Sequence, residues 1–309
     1  MKIDVVIPVY KPGKDFITLI RRLKEQTLKP SNIFVINTQK EIFDAFLKEN
    51  SISEEDLGIE ISHVTSAEYD HAATRHMGME KSDADVVVMM TQDAVPLNEH
   101  LLENLVKNLS ENVAVCYARQ IPREDAGLLE VVTREFNYPE KSQIRTKEDI
   151  DTLGVRAFFS SDVCAAYRRD IYYKTGGFQI PAIFNEDTVY AFNALMKGYG
   201  VAYEAEAKVI HSHHYSCMQQ FKRNFDIGVS QAQHPEVFAK YNSESEGKKL
   251  VKAAFKKFFE LKKPLMFIPF CFQCGFKLWG YRTGKKYKNL SKAMVLKCTS
   301  NKNYWLRGE

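Results

Sequence analysis

Residues 85–96 read Asp-Val-Val-Val-Met-Met-Thr-Gln-Asp-Ala-Val-Pro, an apolar run followed by one carboxylate and then by proline. Such a run is typical of a parallel strand that helices cover on both faces, and proline cannot continue its ladder. Asp93 is therefore predicted at the carboxyl end of a buried strand, where open α/β sheets bind their ligands. A metal ion or a phosphate could bind there. The equal alternative is that Asp93 caps a helix beginning near Asn98.

Strand-like and helix-like segments alternate through the first hundred residues. Apolar runs predict strands at residues 3–9, 32–36, 59–64 and 86–90. The helical period of apolar residues predicts helices at 15–26 and 41–48. This alternation predicts a doubly wound, largely parallel α/β sheet whose strand-end loops gather on one edge and could enclose a nucleotide. No glycine-rich fingerprint of a dinucleotide-binding domain or a P-loop NTPase follows any strand, so phosphates must be held in another way.

Charge is distributed unevenly along the 309 residues. Residues 248–309 hold 16 Lys and Arg against 2 Asp and Glu, a net charge of +14; the whole chain carries +4, which leaves −10 for residues 1–247. Two bodies with different partners are implied, and we expect an α/β domain over residues 1–230 and a basic, aromatic, helical region over 231–309. Six cysteines without a paired framework and no signal peptide favour the reducing cytoplasm.

The basic region combines apolar helical periodicity with lysines. Apolar residues recur at helical spacing between 250 and 261, beside six lysines from 249 to 263, and residues 265–276 carry no charge. Twelve residues are too few to span about 30 Å of hydrocarbon. The pattern predicts an in-plane or re-entrant anchor on an anionic membrane surface. A helical dimerisation or docking surface is the alternative. Nucleic acid is not expected as a partner, because no recognised nucleic-acid module accompanies the basic residues.

Two adjacent carboxylates, Glu186 and Asp187, precede a predicted amphipathic helix. Placed at a helix start, they could project into a cleft and act as a general base. The alternative is that they complement the helix dipole behind an N-cap at Asn185. The residues alone leave both interpretations open.

Three histidines, His211, His213 and His214, lie at the end of a predicted strand over residues 201–210. Alternation along a strand places His211 and His213 on one face and His214 on the other, so at most two could bind one ion. Imidazoles held by backbone hydrogen bonds near a loop are the alternative.

Four motifs are similar to those of one enzyme family. They are Asp-Val-Val-Ile-Pro-Val-Tyr at 4–10, Glu-Tyr-Asp-His-Ala-Ala-Thr-Arg at 68–75, Met-Thr-Gln-Asp-Ala-Val-Pro at 90–96 and Asn-Glu-Asp at 185–187. In sequence and in order they resemble the GT-A glycosyltransferases of family 2, specifically the bacterial dTDP-rhamnose-dependent rhamnosyltransferases of polysaccharide assembly. The resemblance covers roughly residues 3–230.

The resemblance implies a role for each matching residue. Asp93 would hold Mn²⁺ or Mg²⁺, with His211 as the first choice and His213 as the second to complete the metal site. Asp187 would be the catalytic base, with Glu186 beside it. The residues expected to contact the nucleotide-sugar are Pro8, Val9, Tyr10, Thr38, Asp70, Arg75, Thr91 and Gln92. Thr91 stands where the family usually has the first Asp of its D-x-D motif, and Asn37-Thr38 stands where many members carry an acidic pair.

The activity that the resemblance implies is inverting, metal-dependent transfer of L-rhamnose from dTDP-L-rhamnose to a lipid-linked saccharide, at the inner face of the cell membrane. One alternative is a different donor, such as a UDP-hexose. The other is a catalytically idle scaffold that binds sugar nucleotides, which would explain the departure at Asn37-Thr38. Against the scaffold stands the joint presence of Asp93, Asp187 and His211.

Overall fold

The computed structural model describes residues 1–213, 215–241 and 243–307, so His214 lies outside the described residues. Across these ranges nine strands form one sheet. The strands are β1 Ile3–Val9, β2 Asn32–Thr38, β3 Glu60–Val64, β4 Val86–Met90, β5 Val95–Pro96, β6 Val113–Ile121, β7 Gln143–Arg145, β8 Cys164–Arg168 and β9 Gly200–Ile210. The α/β fold predicted from the sequence is confirmed.

Helices flank the sheet and form the carboxyl-terminal region. Those up to residue 196 are α1 Lys14–Lys24, α2 Lys40–Asn50, α3 Glu54–Leu57, α4 His71–Lys81, α5 Leu101–Val106, α6 Leu128–Asn137, α7 Ile150–Leu153, α8 Arg169–Thr175 and α9 Glu186–Met196. The later ones are α10 Cys217–Gln233, α11 Pro235–Phe238, α12 Ser243–Glu260, α13 Phe267–Lys285, α14 Lys292–Cys298 and α15 Lys302–Leu306.

The first half of the sheet is parallel, as the sequence predicted. The order β3-β2-β1-β4 comes from parallel pairing of β1 with both β2 and β4 and of β2 with β3. Every residue of β4 is fully buried, which explains why this strand is apolar without alternation. Parallel strands point their carboxyl ends to one edge, so the loops after β1, β2 and β4 leave the sheet together.

The second half of the sheet is mixed rather than parallel. Strand β8 runs antiparallel to both β4 and β6, while β9 is parallel to β6. The chain reaches Cys164 beside Met90, the residue at which β4 ends, and the backbone N–H of Thr91 donates to the carbonyl of Val163. A strand that starts at that edge must run backwards along β4. Local periodicity carries no signal for this order.

Asp93 does not cap a helix. The N–H of Ala94 closes a turn on the carbonyl of Thr91, and Val95–Pro96 then pairs with β9. Helix α5 begins later, at Leu101, with His100 in the N-cap position. The capping alternative is therefore wrong, because a short strand separates Asp93 from the helix.

By contact density the chain divides into two compact units. The first comprises residues 1–121, 139–181 and 186–211 and holds the sheet; the second comprises 122–138, 182–185 and 212–309. A domain boundary at residue 230 stays a prediction. Among the described residues, no helix has the length and apolar character needed to cross a membrane.

Two glycines of α13 allow it to pack closely against α10 in the second unit. A Cβ at Gly280 would lie 2.1 Å from the carbonyl oxygen of Phe221, and one at Gly284 would lie 2.0 Å from that of Phe225. Helices α10 and α13 therefore approach each other at positions where only glycine fits. On another side of α13, Phe258 and Phe270 form a small core with Val132 of α6.

Candidate active site

The loops after β1 and β4 are tied together by one side chain. The backbone N–H of Tyr10 donates to Gln92 Oε1, and Gln92 Nε2 donates to the carbonyl of Tyr10, both at 2.9 Å. Two residues predicted to contact the donor thus lie side by side at the predicted sheet edge. The Gln92 amide shapes this edge, and its contact with the donor stays a prediction.

Buried polar side chains lie at the ends of β2 and β4. Among the described residues, Thr38 Oγ1, Thr91 Oγ1 and Asn37 Oδ1 are buried and have no hydrogen-bond partner. Thr38 ends β2 and Thr91 follows β4, one on each side of β1. Buried polar groups are nearly always paired in folded proteins, so such atoms suit a polar ligand. Val9 is buried and Pro8 half-buried at the end of β1 between them.

Asp93 and His211 form the centre of the candidate metal site. His211 Nε2 lies 3.6 Å from Asp93 Oδ1, and the His211 side chain is 6% exposed. His211 Nδ1 donates to Gln120 Oε1 at 3.0 Å, while Gln120 Nε2 donates to Ser161 Oγ at 2.9 Å. In this assignment the amide fixes the tautomer whose Nε2 presents its lone pair toward Asp93. Gln120 was not found from the sequence, because it lies near the end of β6 with no motif around it.

His213, the second choice from the sequence, belongs to the second unit, and its part in the metal site stays a prediction. Asp93 and His211 offer one carboxylate oxygen and one imidazole nitrogen. Such donors suit Mn²⁺ better than Ca²⁺. The residues present therefore fit a divalent transition-metal ion.

Asp70 begins the helix that carries the second predicted motif. Its Oδ1 accepts hydrogen bonds from the backbone N–H groups of Ala72 and Ala73, both at 2.9 Å, and so caps α4. The side chain is buried. A contact between Asp70 and the donor stays a prediction, whereas its role in starting α4 is visible.

Arg75, one turn further along α4, is buried between two carboxylates. Its Nε lies 3.1 Å from Asp162 Oδ2, and its Nη1 lies 3.1 Å from Glu186 Oε1. Nη1 also donates to the carbonyl of His71 at 3.0 Å. A buried cation requires such partners, because desolvation of an unpaired charge is costly. The predicted contact between Arg75 and the donor stays a prediction. Asp162 was not found from the sequence, since no motif surrounds it.

Asp187 lies in the first turn of α9, next to this ion cluster. Its Oδ1 accepts from the N–H of Thr188 at 2.6 Å, and its Oδ2 accepts from the N–H of Asp162 at 3.1 Å. Burial raises the pKa of Asp187 to about 6, and the negative charge of Glu186 adds to this effect. The hydrogen bonds and Arg75 oppose it. A carboxylate with a pKa near neutrality is suited to proton abstraction.

Asp162 is a second carboxyl group of the cluster with a raised pKa. Burial raises its pKa well above the ordinary value, and Arg75 opposes the shift. The Tyr167 hydroxyl donates to Asp162 Oδ1, and burial raises the pKa of that phenol too. One guanidinium therefore lies close to a carboxyl cluster in which the pKa values of Asp162 and Asp187 are raised. Clusters of perturbed groups are typical of functional sites.

The sequence pattern described as glycosyl transferase family 2 matches residues 4–176. This segment contains the carboxyl ends of β1, β2 and β4. It also contains Asp93, Arg75 and Asp162. The chain belongs to glycosyl transferase family 2. It is 35% identical to the O-antigen chain rhamnosyltransferase RfbN of Salmonella typhimurium, over 99% of this chain and 96% of that protein. It is 31% identical to the O-antigen chain rhamnosyltransferase WbaN of Salmonella anatum, over 97% and 95%.

Solved structures support the fold of this family 2 glycosyltransferase. The mannosyltransferase PcManGT from Pyrobaculum calidifontis, in complex with GDP-Man and Mn²⁺, superposes with a TM-score of 0.55 at 15% identity, covering 99% of this chain and 84% of that one. S. aureus TarS 1-349 in complex with UDP gives a TM-score of 0.51 at 13% identity, covering 94% and 91%. The GT-A fold predicted from the sequence is thus confirmed.

Proposed function

We propose that this family 2 glycosyltransferase transfers L-rhamnose from dTDP-L-rhamnose to a lipid-linked saccharide during assembly of a surface polysaccharide. The observation that carries the proposal is 35% identity to an O-antigen chain rhamnosyltransferase over nearly the full length of both chains. A second O-antigen chain rhamnosyltransferase, WbaN, is 31% identical to this chain. The order of the four sequence motifs supports the same donor.

Asp187 is the group proposed to start the reaction. An acceptor hydroxyl attacks the anomeric carbon of the sugar while the bond to the diphosphate breaks, and the hydroxyl proton passes to an Asp187 oxygen. Attack opposite the leaving group inverts the anomeric configuration. With a pKa of about 6, Asp187 is largely ionised at neutral pH and still basic enough to accept the proton. Arg75 holds Glu186 and Asp162 on either side of it.

Asp93, His211 and His213 are the residues that would hold Mn²⁺ or Mg²⁺. Such an ion neutralises the charge that develops on the departing diphosphate. Gln120 keeps His211 in the tautomer that can bind a metal. The unpaired hydroxyl groups of Thr38 and Thr91 are available to the nucleotide-sugar. Contacts from Pro8, Val9, Tyr10, Asp70, Arg75 and Gln92 complete the predicted donor site.

The proposed place of action is the cytoplasmic face of the cell membrane, where a lipid-linked acceptor is held. A peripheral attachment through the basic region would bring the catalytic unit to that acceptor. Homodimerisation through the same region is the alternative.

A transfer assay against a panel of sugar nucleotides tests the proposal. Purified protein, Mn²⁺ and lipid-linked saccharide are incubated with dTDP-L-rhamnose, UDP-glucose, UDP-galactose or GDP-mannose, and the product is identified by mass spectrometry. We expect the mass of the acceptor to increase by one deoxyhexose with dTDP-L-rhamnose and to stay unchanged with the other three sugar nucleotides. Transfer from a UDP-hexose in its place would reassign the donor. Binding of a sugar nucleotide without turnover under any condition would favour the scaffold.

A further inference from the structure

The hairpin of α12 and α13 sorts its apolar side chains into two groups. Ala254, Phe258 and Phe270 are buried, and the rings of Phe258 and Phe270 lie 5.6 Å apart between the helices. Another five side chains are between 46% and 78% exposed: Phe255, Phe259, Leu265, Ile268 and Phe272. The sequence left open whether this apolar stripe binds lipid or protein. The structure divides the stripe into a buried group and an exposed group.

The exposed group is concentrated around the turn of the hairpin, residues 255–272, which we call the hairpin tip. Phe255 contacts Phe259 at a ring-centroid distance of 4.6 Å and Phe267 at 5.0 Å, which links α12 to α13. Ile268 and Phe272 are one turn apart on α13 and therefore share a face. A contiguous exposed apolar patch of this kind marks an interaction site.

Lysines surround the same turn. Residues 252–263 hold five lysines against one glutamate, and Lys252, Lys256, Lys262 and Lys263 are exposed. Lys256 lies 3.8 Å from Glu260, on its own helix. Apolar side chains beside exposed cations are the pattern of a segment that lies in the interface of an anionic bilayer.

Charge decides between the two partners that an apolar surface could take. In a dimer formed through the hairpin tip, the lysines of one copy would lie against the lysines of the other. Like charges across an interface oppose association. Anionic lipid headgroups complement the lysines, while the acyl boundary accepts the phenylalanines and Ile268.

We propose that the hairpin tip inserts its exposed apolar side chains into the headgroup region of an anionic membrane, with its lysines against lipid phosphates. The inference rests on the proposed function only for the location of the acceptor. The orientation follows from the exposure pattern: Phe258 and Phe270 hold the two helices together, and Phe255, Phe259, Leu265, Ile268 and Phe272 enter the lipid.

Vesicle flotation tests the surface, using the full chain and liposomes of phosphatidylethanolamine with or without phosphatidylglycerol. Wild-type protein should float with anionic vesicles at low salt. The variant I268N/F272N should lower its partition coefficient at least ~10-fold. The variant K262E/K263E should lose binding chiefly at low salt, where charge attraction is least screened. The control M294N changes another exposed apolar residue, Met294 of α14, and should float like wild type.

Three outcomes would overturn the inference. Wild-type protein that stays below the anionic vesicles at low salt is one, and unchanged flotation of I268N/F272N is another. The third is a wild-type dimer, seen by light scattering, that I268N/F272N converts to a monomer, because the tip would then bind a second copy. Nucleoside diphosphate release in a vesicle-free assay with soluble acceptor should be the same in wild type and variants, so failure of the activity would be distinguishable from failure of this surface.

Discussion

Arg75 Nη1 on α4 lies 3.1 Å from Glu186 Oε1 at the start of α9, and both side chains are buried. The pair joins the motif after β3 to the two carboxylates in the first turn of α9. Through its Nε, Arg75 also reaches Asp162, whose backbone N–H donates to Asp187. One guanidinium thus positions both groups that flank the proposed base.

Replacing Arg75 by methionine should damage both stability and chemistry. The substitution leaves buried carboxylates without their counter-charge, so we expect the free energy of unfolding at neutral pH to fall by about 3–5 kcal/mol. Loss of a positive charge also favours protonated Asp187, which should move the acidic limb of activity to higher pH. Denaturant unfolding and a pH profile of kcat/KM measure the two effects.

The matched control for Arg75→Met is Arg282→Met. Arg282 pairs with Glu244 at 2.7 Å, but the Arg282 side chain is 59% exposed. Water and dissolved salt screen an exposed pair, which therefore contributes little to stability, so this variant should unfold nearly like wild type. Equal losses in the two variants would contradict the assigned role of Arg75.

Asp187→Asn should abolish most turnover and preserve donor binding. An amide keeps the shape of the side chain and cannot take up the acceptor proton, and general-base catalysis typically contributes about 10²–10⁴-fold to the rate. Single-turnover kinetics give the rate, and calorimetric titration with dTDP-L-rhamnose gives the affinity. Asp151→Asn, at an exposed carboxylate of α7, is the control. A variant that loses mainly affinity would show that Asp187 binds the donor instead of acting as the base.

The pH dependence of kcat/KM should report the raised pKa of Asp187. The base is active when ionised, so activity should fall as pH drops through about 6 and reach a plateau above it. Saturating Mn²⁺ keeps changes in metal occupancy from contributing to this limb. A limb near 4, the value of an ordinary aspartate, would contradict the burial and charge effects described for Asp187.

Gln120→Met should weaken metal binding, although Gln120 is not itself a proposed metal ligand. The substitution removes the acceptor of the His211 Nδ1 hydrogen bond, and loss of such supporting contacts typically costs about 10–100-fold in metal affinity. Titration of Mn²⁺ by electron paramagnetic resonance measures this directly. His100→Ala, at an exposed histidine, is the control. Unchanged Mn²⁺ affinity in Gln120→Met, with His211→Ala also unchanged, would remove His211 from the metal site.

The sequence predicted the parts of the fold that depend on local periodicity. Strands β1 to β4 lie within two residues of their predicted bounds because each is an apolar run bounded by turn residues. The antiparallel insertion of β8 was missed, since strand order depends on where the chain re-enters the sheet. Asp93 was placed correctly at a strand end but was not the helix cap that its residue type also allowed.

The candidate site likewise contains some residues that were predicted from the sequence and others that were missed. Asp93 and His211 approach each other as expected because each follows a strand that ends on the same edge. Asp162 and Gln120 were missed because their significance lies in contacts to Arg75, Asp187 and His211, which only the folded chain creates. Neither residue belongs to a motif that spacing could reveal.

We propose that the edge formed by Asp93, His211 and Asp187 binds a metal-complexed sugar nucleotide. Crystals grown with Mn²⁺ and dTDP-L-rhamnose, measured at the manganese absorption edge, test it most directly. We expect an anomalous peak within about 2.5 Å of an Asp93 oxygen and of His211 Nε2, with the anomeric carbon facing Asp187. A nucleotide bound elsewhere, or manganese that avoids Asp93 and His211 while the donor is present, would contradict it.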